Sequence, residues 1–162
     1  MDETAAAGEA PETYVARVAR AKAAAGWRAE RATAAPVLAA DTAVVLDGEI
    51  LLKPQDRPDG ERMLLALSGR THHVFTAVCL AMAAGMEWRL TRSAVTFRRL
   101  DASEARAYWD TGEPHDKAGG YAIQGRAAVF VEGLNGSYSG VMGLPLYETS
   151  LLLESAGVPR WR

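Results

Sequence analysis

The sequence predicts an α/β protein whose sheet is mixed and flanked by helices. Three observations carry that expectation. Apolar, strand-like runs adjoin one another across short turns at Asp47-Gly48 and around Gly85; helical patterns stand apart from those runs; and the regular strand-helix-strand alternation of a doubly wound parallel sheet is absent. A chain of 162 residues, 49% hydrophobic and 23% charged, has enough apolar material for one folded domain and too much for disorder.

Each element has its own local reason. Residues 11–25 read as a helix, with Pro11 in its first turn, Val15, Val18 and Lys22 at helical spacing, and Gly26 as its stop. Val37 to Leu46 is a strand broken only by Asp41-Thr42, and Asp47-Gly48 turns it back through Ile50-Leu51-Leu52. Asp56 followed by Pro58 caps a helix running to Leu67, which ends at Ser68-Gly69. Thr71 to Ala84 and Trp88 to Arg99 are long strands joined by a turn containing Gly85. Residues 102–110 suggest a further helix, and 112–126 a polar, Gly-rich connection. Val129-Phe130-Val131 and Tyr138 to Val141 are expected to form a hairpin about Asn135-Gly136, and Pro145 to Ser155 a closing helix. No internal repeat is visible, and the Ala-rich tracts are compositional bias.

Several classes of function are excluded or disfavoured at once. A net charge of −2 provides no global basic field for nucleic acid or anionic membrane. The longest apolar stretch, Val74 to Met86, is broken by Thr76 and Gly85 and falls short of the about 20 residues a spanning helix needs. The first residues, Met1-Asp2-Glu3-Thr4, have neither a basic segment nor an apolar signal core, so a cytoplasmic location is expected. The single cysteine, Cys79, sits in apolar surroundings and reads as a core residue. Asn135-Gly136-Ser137 reads as a turn rather than a glycosylation site.

The basic residues divide unevenly: of eighteen, only Lys22, Lys53 and Lys117 are lysines. Where Arg supplies almost all positive charge, a retained Lys marks a place needing a compact ammonium, unless the three are chance survivors. Asp41-Thr42 is the second oddity, because a carboxylate inside Ala39-Ala40 and Ala43-Val44-Val45 is costly to bury without a partner. Either it is a satisfied turn or strand-end Asp, or a cation keeps it charged so that it accepts a proton from water. Glu3, Glu9 and Asp2 are candidates for a second carboxylate toward a hard cation such as Mg²⁺. In the run Asp116 to Arg126, Gly119-Gly120 permits close backbone approach, and Gln124 offers an amide donor and acceptor for a nucleobase edge, the alternative being a plain loop with a solvated Gln. His72 and His73 point to opposite faces of a strand and cannot easily share one ion. The P-loop, dinucleotide, zinc-protease and EF-hand fingerprints are all missing. An acid, three ammonium groups and an amide reader suit a small molecule carrying a polyphosphate, bound with a divalent cation.

The segments Ala39-Ala40-Asp41-Thr42, Leu52-Lys53-Pro54, Leu67-Ser68-Gly69-Arg70-Thr71-His72, Lys117 to Gly125, Asn135-Gly136-Ser137-Tyr138 and Gly143-Leu144-Pro145-Leu146 together resemble the Maf family of nucleoside triphosphate pyrophosphatases, in consistent order over nearly the whole chain. Asp2-Glu3 and Tyr14 to Ala23 are similar to that family's early acidic pair and Lys-Ala helix. The resemblance implies an elongated mixed α/β fold related to the inosine-triphosphatase type, and hydrolysis of a nucleoside triphosphate to monophosphate and diphosphate with Mg or Mn. It implies Asp41 as proton acceptor and metal contact, Glu3 as the other acidic contact, Lys22, Lys53 and Lys117 on the phosphates, and Thr42 and Gln124 at base-discriminating positions of the dTTP/UTP branch. It further implies a homodimer. The family's first strand and its Ser-x-Ser-Pro-Arg-Arg phosphate-binding turn have no counterpart in this sequence, so the expectation is a single domain over residues 1–162 lacking both, with a native start upstream of Met1. A nucleotide-binding protein of weakened catalysis acting through partners stands as the alternative, and a pyrophosphatase preferring inosine triphosphate as a third reading that Thr42 and Gln124 disfavour.

Overall fold

The computed structural model describes residues 3–30 and 35–161. Five strands, β1 (Val37–Leu46), β2 (Glu49–Leu51), β3 (Thr71–Met82), β4 (Gly85–Phe97) and β5 (Val131–Asn135), form one sheet in the order β2-β1-β3-β4-β5. The expected α/β class stands, but the described pairings are antiparallel rather than mixed. The reason is topological: β2 and β3 run the same way, yet β1 lies between them. The β1–β2 turn places Asp47 at φ 52° and Gly48 at φ 85°, the two positive values that a tight hairpin matching strand twist requires.

Helix α1 (Pro11–Ala29) covers one face, packing Val15, Val18, Ala19 and Ala23 on Ala43, Val45, Phe75 and Cys79. It runs through Gly26 instead of stopping there. A Cβ on Gly26 would meet Val37 Cγ1 at 2.7 Å, so this glycine lets β1 approach the helix. Cys79 is a buried core residue, as expected.

The other face carries two apolar clusters. In the first, α2 (Arg57–Leu67) and α3 (Ala102–Trp109) bring Leu64, Leu67 and Tyr108 against Val74, Val95 and Phe97. In the second, α5 (Leu146–Ser155) sets Leu152 on Val78 and Leu80. Each such large buried side chain contributes about 1.5–3 kcal/mol of transfer free energy. The predicted caps hold: Asp56 Oδ1 accepts from the Asp59 N–H at 2.9 Å, opening α2.

Between the two clusters runs a polar seam, where Thr42, Thr76 and Thr91 lie in register across β1, β3 and β4. A short helix, α4 (Tyr138–Val141), sits on it. The expected hairpin about Asn135-Gly136 is therefore incorrect. Arg126–Phe130 is a 3-10 helix, Val131–Asn135 pairs with β4, and Ser137 caps α4 by accepting from the Gly140 N–H at 3.0 Å. Gly136, at φ 136°, stacks on Ser93 so closely that a Cβ would meet its backbone at 2.8 Å, and this contact turns the chain off the sheet edge and into the helix. His72 is buried and His73 is not, consistent with opposite faces.

Candidate active site

β2 pairs with β1 only along Val44, Val45 and Leu46. Ahead of those residues, the side of β1 facing away from β3 has no strand neighbour among the described residues. Consecutive strand residues point to opposite faces, so Asp41 belongs to the α1 side and Thr42 to the other. At this open side both reach one cavity of about 560 Å³, which wraps around the strand. That volume is in the range of sites for drug-sized ligands.

Every candidate taken from the sequence that lies in the described residues, except Glu9, lines this cavity: Glu3, Lys22, Asp41, Thr42, Lys53, Lys117 and Gln124. Glu9 lies elsewhere, paired with Arg17 at 2.8 Å and accepting from the Ala6 N–H at 3.0 Å. Asp2 lies outside the described residues.

On the α1 side, Lys22 donates to Asp41 Oδ1 at 2.8 Å and approaches Glu3 Oε1 at 3.2 Å. Tyr14 and Lys22 stand two helical turns apart on one stripe of α1 with Val18 between them, and the Tyr14 hydroxyl donates to the Glu3 carbonyl at 2.9 Å. One helix face thus holds the ammonium and the segment bearing the second carboxylate. Burial pushes the Asp41 carboxyl up despite Lys22. Burial works against the Lys22 charge, but hydrogen bonds to Asp41 and Glu3 hold its pKa above the ordinary value. Asp41 Oδ2 is buried and without a hydrogen-bond partner among the described residues. Such an orphan oxygen wants a cation or a proton donor supplied from outside.

Lys53 stands where β2 ends. Its neighbour Leu52 accepts from the Gly119 N–H at 3.1 Å, which clips the Lys117 turn to the same place. Gly119, at φ 68°, lies so close to Val44 that a Cβ would meet that side chain at 2.8 Å, so only glycine lets the turn lie on β1. The charge of Lys53 is felt at both Asp41 and Asp116. Lys117 is paired with Asp116 at 2.7 Å, and the ammonium holds that carboxyl below its usual range.

On the other face, Gln124 is exposed to the cavity between anchored neighbours: Ile123 is buried in the core and Tyr121 donates to, or accepts from, His72 Nε2 at 2.7 Å. Glu113 shapes this loop, accepting from the Tyr108 hydroxyl at 2.7 Å and from the Arg126 and Ala127 N–H groups at 3.0 and 3.3 Å. Burial alone would raise its pKa, but these hydrogen bonds hold it below the ordinary value. Tyr14, Asp116, Glu113 and Thr76 were not singled out by the sequence. Only Tyr14 carried a usable signal, its helical spacing to Lys22.

Among the described residues no three His, Cys, Asp or Glu side chains form a ready-made metal cage. Two carboxylates, one with an orphan oxygen, nevertheless fit a hard cation that takes one or two carboxylates and completes its shell with phosphate and water.

The cavity gathers three ammonium groups, Lys22, Lys53 and Lys117, with three carboxylates, Glu3, Asp41 and Asp116, and sets the uncharged Thr42 and Gln124 beside them, a polar ligand-binding site on an α/β scaffold. The chain belongs to the Maf family, whose Maf-like protein description matches residues 1–156. It is 52% identical over 161 residues to a protein of Nitrosomonas europaea named dTTP/UTP pyrophosphatase, covering 98% of this chain and 78% of that protein. It is 55% identical over 159 residues to a protein of the same name from Alkalilimnicola ehrlichii, covering 95% and 78%. A third protein so named, from Saccharophagus degradans, is 52% identical over 157 residues, covering 96% and 75%.

Proposed function

We propose that the chain is a nucleoside triphosphate pyrophosphatase that hydrolyses dTTP and UTP to the monophosphate and diphosphate, acting as one domain over residues 1–162 on free nucleotides of the cytoplasm. The relatives' names support the reaction class. The observation that carries the reading in this molecule is the convergence of Asp41, Lys22, Lys53 and Lys117 on one cavity, with Asp41 Oδ2 unpartnered.

The residues divide the work as follows. Asp41 Oδ2 accepts a proton from a water molecule, whose oxygen attacks the α-phosphorus. The bond between that phosphorus and the α–β bridging oxygen breaks, and diphosphate leaves with the electron pair. Lys22, Lys53 and Lys117 hold the phosphate oxygens and stabilise negative charge as it moves toward the leaving group. Glu3 and Asp41 would hold Mg²⁺ or Mn²⁺, which when bound neutralises phosphate charge and orients the chain of phosphates. Thr42 and Gln124 face the base. Among the described residues no helix is long and apolar enough to cross a membrane.

The test is diphosphate release from dTTP with Mg²⁺ or Mn²⁺ by the wild-type chain and by Asp41→Asn. Removing the proton acceptor should lower kcat by about 100-fold or more, while dTTP binding measured by calorimetry persists. A full rate in Asp41→Asn defeats the reading. A specific observation favours a second one, a nucleotide-binding protein of weakened catalysis: Lys117 is already neutralised by Asp116 and Lys22 by two carboxylates. Tight dTTP binding by a wild-type chain that releases no diphosphate would select it.

A further inference from the structure

We infer that Thr76, a residue that no ligand reaches, sets the preference for uracil and thymine over cytosine by fixing the hydroxyl of Thr42 as a hydrogen-bond acceptor. The inference rests on the proposed function and adds a positioning residue to it.

Along the threonine seam each hydroxyl has one proton to give. Thr76 is fully buried, so no solvent offers its hydroxyl another partner. That hydroxyl has one proton, and it is donated to the Gly140 carbonyl at 2.7 Å, an oxygen that can only accept. Thr42 Oγ1 lies 2.9 Å from Thr76 Oγ1. With the Thr76 proton spent on Gly140, the Thr42 proton must point to Thr76. What Thr42 then shows the cavity is lone pairs alone.

The arrangement is held on every side. Thr42 and Thr76 are direct partners in the β1–β3 register, and the Thr91 hydroxyl donates to the Thr76 carbonyl at 3.4 Å. Gly140 is pressed against the seam, where a Cβ would meet Thr91 Oγ1 at 2.9 Å, so its carbonyl cannot retreat without lifting α4.

Uracil and thymine carry an N3–H between two carbonyl groups, a donor flanked by acceptors. Cytosine carries a bare N3 lone pair at the same ring position. An acceptor of fixed polarity joins the first and repels the second. Gln124, the other uncharged polar side chain at this pole that the sequence marked, has both an amide N–H and a carbonyl and can turn either toward the base. It binds an edge without deciding its polarity; Thr42, tied to Thr76, decides it.

The experiment measures kcat/KM for UTP and CTP with the wild-type chain and with Thr76→Val, Thr76→Ala, Thr76→Ser and Thr42→Val. The ratio of the two constants cancels the fraction of folded enzyme, so a purely structural loss does not move it. Without the Thr76 hydroxyl, Thr42 is free to turn its proton toward the cavity. The UTP:CTP ratio should fall about tenfold in Thr76→Val and Thr76→Ala and return in Thr76→Ser, which restores the relay. Thr42→Val should lose the ratio as well, and it keeps the question open to refutation if the buried variants fail to fold. A wild-type ratio in folded Thr76→Val or Thr76→Ala, or in Thr42→Val, overturns the inference, as does a Ser variant as unselective as Val. A wild-type chain that hydrolyses no pyrimidine triphosphate would instead strike the proposed function.

Discussion

Protonating His72 would put a charge into a fully buried site walled edge-on by Phe97 and Tyr121, with ring centroids at 5.0 and 5.4 Å. Burial, and to a smaller extent the neighbouring His73, pushes its pKa down to about 4 from the ordinary 6.5. The folded protein therefore binds this proton less readily than the unfolded chain. The associated stability is complete above the unfolded value, is lost as pH falls from 6.5 toward about 4, and amounts to about 3 kcal/mol in full. Urea denaturation at pH about 7.5 and about 4.5 measures it, and His72→Gln, whose amide keeps a partner for Tyr121, should lose less stability between the two. Equal losses would remove His72 as the source. The reactive side chains are legible in the sequence and their partners are not. Asp41, Lys53 and Gln124 stood out against their surroundings, whereas Thr76 is an ordinary strand threonine until its register with Thr42 is known.

The loop from 112 to 126 has little regular structure, yet it positions Lys117 and Gln124, and a single carboxylate organises its far end. Glu113 gathers the Tyr108 hydroxyl and two backbone N–H groups, and Gly125 lies so close that a Cβ would meet its carboxylate. Replacing Glu113 by Ala orphans all three donors. The expected cost is about 2–3 kcal/mol of stability, together with a raised KM for dTTP as Gln124 loses its seat. Thermal denaturation and steady-state kinetics check the two effects, and an unchanged KM would show that Glu113 supports the fold alone. Elements stated by local chemistry were readable in the sequence: the Val37–Leu46 strand, the Asp56 cap and the Asp47-Gly48 turn all stand as expected. Where tertiary packing decides, the local signal misled. Gly26 looked like a helix stop but admits Val37, and Asn135-Gly136 looked like a hairpin turn but leads into a helix resting on the threonine seam.

At the scale of the whole molecule, the sheet separates two kinds of recognition and the cavity joins them around the open side of β1. Adjacent residues 41 and 42 face opposite layers, so a single dipeptide serves both poles: Asp41 with Lys22 and Glu3 beneath α1, and Thr42 with Gln124 on the other side of the strand. Charge lies at the first pole and on the Lys53–Lys117 turn, which rests against Val44. This separation is testable with a ligand that has only one pole. Inorganic diphosphate should occupy the cationic end, so Lys53→Ala should weaken its binding and that of dTTP alike, by about tenfold each, with the loss shrinking as salt is added. Gln124→Ala should weaken dTTP by a similar factor and leave diphosphate unaffected, because that ligand has no ring to reach the second face. Calorimetric titration of the two ligands into the two variants gives the four constants. A diphosphate affinity that falls as much in Gln124→Ala as in Lys53→Ala would mean that the two faces do not act as separate poles, and the division of labour between residues 41 and 42 would fall with it.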